Sequence, residues 1–103
     1  MTHGTETAWP QLESGYMDAE GWVDLEVYRT AGALWPFAEH LARVNLRDSV
    51  AGQKLLLKAV VDVSRVREEK RIAGELIKNL KGYLFVTYKR LLLEELKDRK
   101  SVV

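Results

Sequence analysis

Few side chains in this 103-residue chain could do chemistry, and their spacing argues against catalysis. Glu68–Glu69 and Glu94–Glu95 are the candidate carboxylate pairs, but sequence neighbours diverge by ~100° on a helix and do not converge on one atom. Ser14, Ser49, Ser64 and Ser101 have no histidine and acid arranged around them to activate a nucleophile. There is no cysteine, which excludes thiolate nucleophiles, thiolate metal ligands and disulfides. The two imidazoles, His3 and His40, lack carboxylates at the helical spacing a metal site needs. The expectation is a protein that is not an enzyme and holds no metal or cofactor.

The chemistry left is recognition of a polyanion. Six acidic residues precede the first basic one, Arg29, so residues 29–103 carry 16 basic against nine acidic side chains, net +7. The cations are densest near the end of the chain. If that stretch is a helix, Val86, Lys89, Arg90, Leu93, Lys97 and Lys100 share the face opposite its apolar stripe, with Lys78 and Lys81 near its start. Such a stripe suits a row of phosphates. Tyr83, Phe85 and Tyr88 lie within two turns of it, and aromatic faces beside cations are what unstacked bases need. Tyr88 and Phe85 read as core, which leaves Tyr83 as the stacking candidate. The site residues expected for DNA are therefore Lys81, Tyr83, Lys89, Arg90, Lys97, Arg99 and Lys100. The competing explanation is a solvated face, with Lys97, Arg99 and Lys100 complementing the C-terminal dipole.

These residues need helices to hold them. Residues 1–17 mix Thr, Gly, Pro10 and Ser14 without apolar period and read as a tail, with Trp9 a candidate for docking on a single helical domain over 18–103. Asp18 is placed to cap a helix over 19–31 with Trp22, Leu25, Val27 and Tyr28 as its apolar set. Gly32 loosens it. Pro36 makes Leu34–Asn45 a kinked continuation or a second helix, with Leu34, Phe37, Ala38, Leu41 and Val44 inward. Asp48 caps a run over Val50–Val66 whose buried stripe is Leu56, Ala59, Val60, Val63 and Val66; its β-branched second half keeps a strand reading open. Arg65–Glu75 is charged, with Ile72 and Ala73 its only apolar pair, and reads as a connector with room for a short helix. Asn79 then caps the last helix, which turns Leu84, Tyr88, Leu91, Leu92 and Leu96 inward. The fold class is all-α, a small bundle of three to four helices. No apolar run approaches the ~20 residues that span a bilayer, and nothing resembles a signal peptide. The expected setting is cytoplasmic, without a membrane partner.

The segment IKNLKGYLFVTYKRLLLEELKDRK, Ile77 to Lys100, resembles region 2 of bacterial sigma-70-type transcription factors, in particular the extracytoplasmic-function group. Asn79 matches the family's Asn-Pro, Tyr83-Leu84-Phe85 its aromatic segment, Arg90-Leu91 its arginine segment, and Lys97-Arg99-Lys100 its basic run. The likeness extends more weakly back to Trp35. Leu80 stands where the family has proline, and Leu91 where an asparagine follows the arginine. In the preceding helix the family's acids and Gln-Glu, which dock on the polymerase clamp, fall on Gln53, Lys54, Leu57 and Lys58. The chain ends where the family continues to a second DNA-binding region.

The resemblance implies a sigma region 2-like fold that contacts single-stranded promoter DNA, RNA polymerase or both. Its altered docking positions keep a second reading open, a sigma mimic that binds an anti-sigma factor or other regulator without touching DNA. On that reading Lys54, Leu57, Lys58 and Val61 form the surface for a protein partner, because exposed Leu57 and Val61 between cations suit protein better than nucleic acid. The counter-expectation is that the acidic first helix covers them.

Overall fold

The computed structural model describes Trp9, residues 17 and 18, and residues 21–101. Apart from Trp9 and Met17, the tail expected over 1–17 lies outside them. Three helices make the fold: α1 (Leu25–Leu46), α2 (Ser49–Ile72) and α3 (Leu80–Ser101), preceded by a two-residue antiparallel pair, β1 (Met17–Asp18) with β2 (Gly21–Trp22). This is the expected small all-α bundle, with three helices rather than four.

The first helix begins later than expected. Asp24, not Asp18, is its cap: the Asp24 carboxylate accepts from the amides of Glu26 at 2.8 Å and Val27 at 3.4 Å. The same carboxylate binds Arg67 of α2 through two contacts of 2.9 and 2.8 Å, and the Asp24 amide donates to the hydroxyl of buried Ser64 at 2.9 Å. The backbone of Asp18 instead pairs with Gly21 in the β1–β2 ladder. Asp24→Ala is expected to cost about 2 kcal/mol, a cap and a partly screened ion pair together. Chemical denaturation would read it as a lower midpoint with an unchanged slope.

Gly32 and Pro36 do not divide α1. Pro36 has no amide to give the Gly32 carbonyl four residues back, a defect worth about 3 kcal/mol in an isolated helix. Burial outweighs it. Ala31, Leu34, Trp35 and Ala38 are buried around the defect, and two large side chains alone supply about 3–6 kcal/mol. Trp9 adds to this from outside the helix. Its ring lies 4.9 Å from that of Tyr28 and 5.7 Å from that of Trp35, and its indole N–H donates to the Tyr28 carbonyl at 3.3 Å. A Cβ on Gly32 would meet the Trp9 ring at 3.0 Å, so glycine makes the room that the docked indole uses. Continuity also sets the phase of the helix. Trp35, Ala42 and Leu46 are buried, while Phe37 and Val44, expected inside, are 65 % and 61 % exposed.

In α2 the Asp48 cap is as expected, its carboxylate accepting from the Ala51 amide at 3.0 Å. The helix then runs through the segment expected to be a connector and through the β-branched stretch that had kept a strand reading open. Ion pairs at three-residue spacing, Arg65 with Asp62 and Arg71 with Glu68, support its charged end. It stops where Gly74 takes φ 79. The Glu75 amide then reaches the Lys70 carbonyl at 2.7 Å and the Gly74 amide that of Arg71 at 3.1 Å, a Schellman ending.

The third helix starts where expected, with the Asn79 side-chain oxygen accepting from the Gly82 amide at 2.9 Å. Leu84, Tyr88 and Leu92 are buried; Leu91 and Leu96 pack at the margin. The three helices converge on one point. The Tyr88 hydroxyl donates to the Ala38 carbonyl at 2.6 Å. Gly52 lies beside it, where an added Cβ would stand 2.4 Å from the Ala42 methyl and 3.4 Å from the Tyr88 oxygen. A second tie joins the far ends, Arg99 to Asp48 at 3.4 Å.

Candidate nucleic-acid interface

The outward side of α3 follows from what the helix buries. With Leu84, Tyr88 and Leu92 inward, Tyr83, Val86, Lys89, Arg90, Leu93 and Lys97 are exposed. Val86 is 64 % and Leu93 62 % exposed, and the cations stand to either side of that line. At ~100° per residue none of the carboxylates of α3 falls within this face. Glu94 borders it, and Glu95 and Asp98 belong to the inner flanks. A polyanion approaching α3 therefore meets cations first.

Individual cations differ in their freedom. Arg90 and Lys81 have no ion pair among the described residues. The Lys89 ammonium stands 5.7 Å above the centre of the Phe85 ring, which biases it without neutralising it. Lys97 is exposed. The side chain of Lys100 lies outside the described residues. Arg99 is placed otherwise than expected: it bridges Glu95 at 3.0 Å and Asp48 at 3.4 Å, so its guanidinium serves the junction of α3 with α2. Lys81 stands about five whole turns before Arg99 and shares its azimuth, so it too is off the outward line. The Ala51 amide, with the Arg99 guanidinium, holds the Asp48 carboxyl below its ordinary range. That contribution to stability is present above the ordinary carboxylate pKa and is lost as pH falls through the depressed one.

At the start of α3 the outward face deepens into a groove. Its volume is about 540 Å³, and Lys70, Ile77, Lys78, Tyr83, Val86 and Arg90 are among the residues lining it. The connector after Gly74, the first three turns of α3 and Lys70 of α2 line it. Tyr83 is 40 % exposed, and its carbonyl accepts from the hydroxyl of buried Thr87 at 2.9 Å. An aromatic ring at the mouth of a groove with three cations around it offers a base a flat surface and its phosphates a positive wall. Lys70 joins this site from α2, although it is paired with Glu75 at 3.5 Å. Sequence spacing has no signal for that, because the approach depends on the turn at Gly74.

Neither protein-family models, curated proteins nor solved structures match this chain.

The surface expected on α2 is not assembled as such. Lys54 and Lys58 are exposed, but Val61 is buried at 5 % exposure and Leu57 packs half-buried against the core. The reason is the position of α2, which packs against both α1 and α3 and also meets β2. A helix with neighbours on two sides buries a wider arc than one stripe. Among the described residues no group of three or more His, Asp or Glu side chains is arranged to hold a metal ion, and no helix is long and apolar enough to cross a membrane.

Proposed function

We propose that this chain is a transcription-associated, sigma region 2-like domain whose α3 face binds single-stranded, promoter-like DNA. The observation that carries the reading is the joint placement of Tyr83, at the mouth of the groove, with exposed Lys89, Arg90 and Lys97 on the same face. The likeness of Ile77–Lys100 to sigma region 2 supports it, since Tyr83 and Arg90 fall in the family's aromatic and arginine segments. No chemistry is performed; phosphates neutralise cations and a base stacks on Tyr83. The mimic reading is weaker on this geometry, because Val61 is buried and Leu57 packs half-buried against the core, which reduces the apolar surface beside Lys54 and Lys58.

Fluorescence anisotropy with a labelled single-stranded promoter-like oligonucleotide tests it. Binding should weaken linearly on a log–log salt plot, and Lys89→Ala/Arg90→Ala should reduce the slope by about 1.4, roughly 0.7 for each lost phosphate contact. Tyr83→Ala should weaken binding by ~1–3 kcal/mol, with Tyr83→Phe close to the parent. Lys81→Ala, off the outward line, should change little. No binding at low salt, or equal loss from Lys81→Ala and Arg90→Ala, would sink the reading.

A further inference from the structure

A second exposed face, on α1, has a different chemistry. Phe37 and Val44, 65 % and 61 % exposed, are seven residues apart and so lie along one line of the helix. Arg29, His40 and Arg43 are exposed beside that line, and Arg47 follows one residue past the helix end. The sole carboxylate in the sequence from Arg29 to Arg47 is Glu39, which is buried. Glu26 is exposed at the N-terminal end of the same line; beyond it the face combines apolar side chains and cations without a further exposed acid.

Arg43 of this face pairs with buried Glu39 at 3.7 Å, whereas Arg29 and Arg47, like Arg90 of α3, have no ion pair among the described residues. Arg47 is also, among the described residues, the one that holds positive φ without being glycine, at φ 56 and ψ 36. A left-handed helix end favours glycine or asparagine. Arginine is disfavoured there, and no intramolecular ion pair offsets the conformation. A backbone outlier that carries an unpartnered side chain is a sign that the side chain has an outside use.

We propose that this α1 face docks an acidic amphipathic helix of a partner protein. Phe37 and Val44 are the apolar anchors, and Arg29, Arg43 and Arg47 take carboxylates. The anchors stand ~10.5 Å apart along the axis, the spacing of i and i+7 on a facing helix. The cation type argues for protein over nucleic acid: this face has arginine and no lysine, whereas the α3 face is mostly lysine. Arginine and aromatic residues are enriched in protein interfaces and lysine is depleted, and a guanidinium grips a carboxylate with two parallel hydrogen bonds. The inference does not rest on the DNA reading of α3.

The probe is a fluorescein-labelled designed peptide of about 20 residues, helical, with leucines on one face and glutamates along one flank. Titrated with the full chain at physiological salt, it should bind saturably, and a shuffled peptide of equal composition should bind at least about tenfold more weakly. Phe37→Glu should weaken binding about tenfold while leaving the melting temperature in place, since Phe37 is exposed. Arg47→Gly gives the sharper contrast. It should weaken binding about threefold yet raise the melting temperature by roughly 4 °C, because glycine suits the left-handed end. Several results would overturn the proposal: no saturable binding, equal binding of the shuffled peptide, or binding unchanged by both substitutions. It is overturned equally if Phe37→Glu abolishes self-association of the chain, or binding to phosphatidylserine vesicles or to a single-stranded oligonucleotide, in place of peptide binding.

Discussion

Tyr88→Ala is expected to destabilise the bundle by about 3–5 kcal/mol, the range for removing a large buried aromatic. That is a large fraction of the ~5–15 kcal/mol by which domains of this size are stable. The side chain is fully buried and belongs to α3, while its hydroxyl donates to the Ala38 carbonyl of α1 at 2.6 Å. Tyr88→Phe separates the two contributions: it keeps the ring and loses the hydrogen bond, so about 1 kcal/mol is expected. A pH signature accompanies it. Burial pushes the Tyr88 phenol from its ordinary 10.0 up to about 12. Below the ordinary value both folded and unfolded chains hold the proton, and the full stability is present. Between the two values the unfolded chain ionises first, so stability falls as pH rises, by an amount on the order of 2 kcal/mol. Urea titrations at a series of pH values should show this fall in the parent and lose it in Tyr88→Phe.

Gly52→Ala is expected to destabilise the protein although alanine is the better helix former. The helix gains about 1 kcal/mol from the exchange. Against that, the new methyl would stand 2.4 Å from the Ala42 methyl, a distance at which α1 and α2 must move apart. Overpacking costs about 1–3 kcal/mol, and a contact this short belongs in the upper part of that range, so the net effect is a loss of about 1–2 kcal/mol. Gly52→Val should lose more, since it adds two further methyls where the Tyr88 hydroxyl already stands. The clash has a specific partner, and a double-mutant cycle exposes it. Ala42→Gly should be destabilising alone and should rescue part of the loss when combined with Gly52→Ala. Additive losses in denaturant melts would show that Gly52 is needed for some reason other than contact with Ala42.

Much of the α3 face was legible beforehand because its determinants are local. Asn79 caps the helix that it precedes, and Leu84, Tyr88 and Leu92 recur at steps that only one side of a helix can satisfy. Once those are inward, Tyr83, Lys89, Arg90 and Lys97 are outward by geometry. Arg99 escaped that reasoning. Its partner Asp48 is 51 residues away in sequence, and a cation at a helix end looks the same in sequence whether it faces solvent or another helix's cap. Phe37 and Val44 escaped for another reason: a helix assumed to restart at Pro36 has a free rotational phase. A continuous α1 inherits its phase from Val27, Tyr28 and Ala31.

The sequence by itself determined three things: that each of these regions is helical at its centre, the Asp48 and Asn79 caps, and most of the inward rows of α2 and α3. Capping hydrogen bonds and the helical period act within one or two turns, so they are written in neighbouring residues. Tertiary structure alone decided that α1 passes through Gly32 and Pro36 and that Val61 lies inside. It also decided that Lys70 and Lys78 join Tyr83 and Arg90 around one groove. Each of these outcomes weighs a local cost or preference against burial by residues distant in the chain. Such burial is defined only when the helices have met.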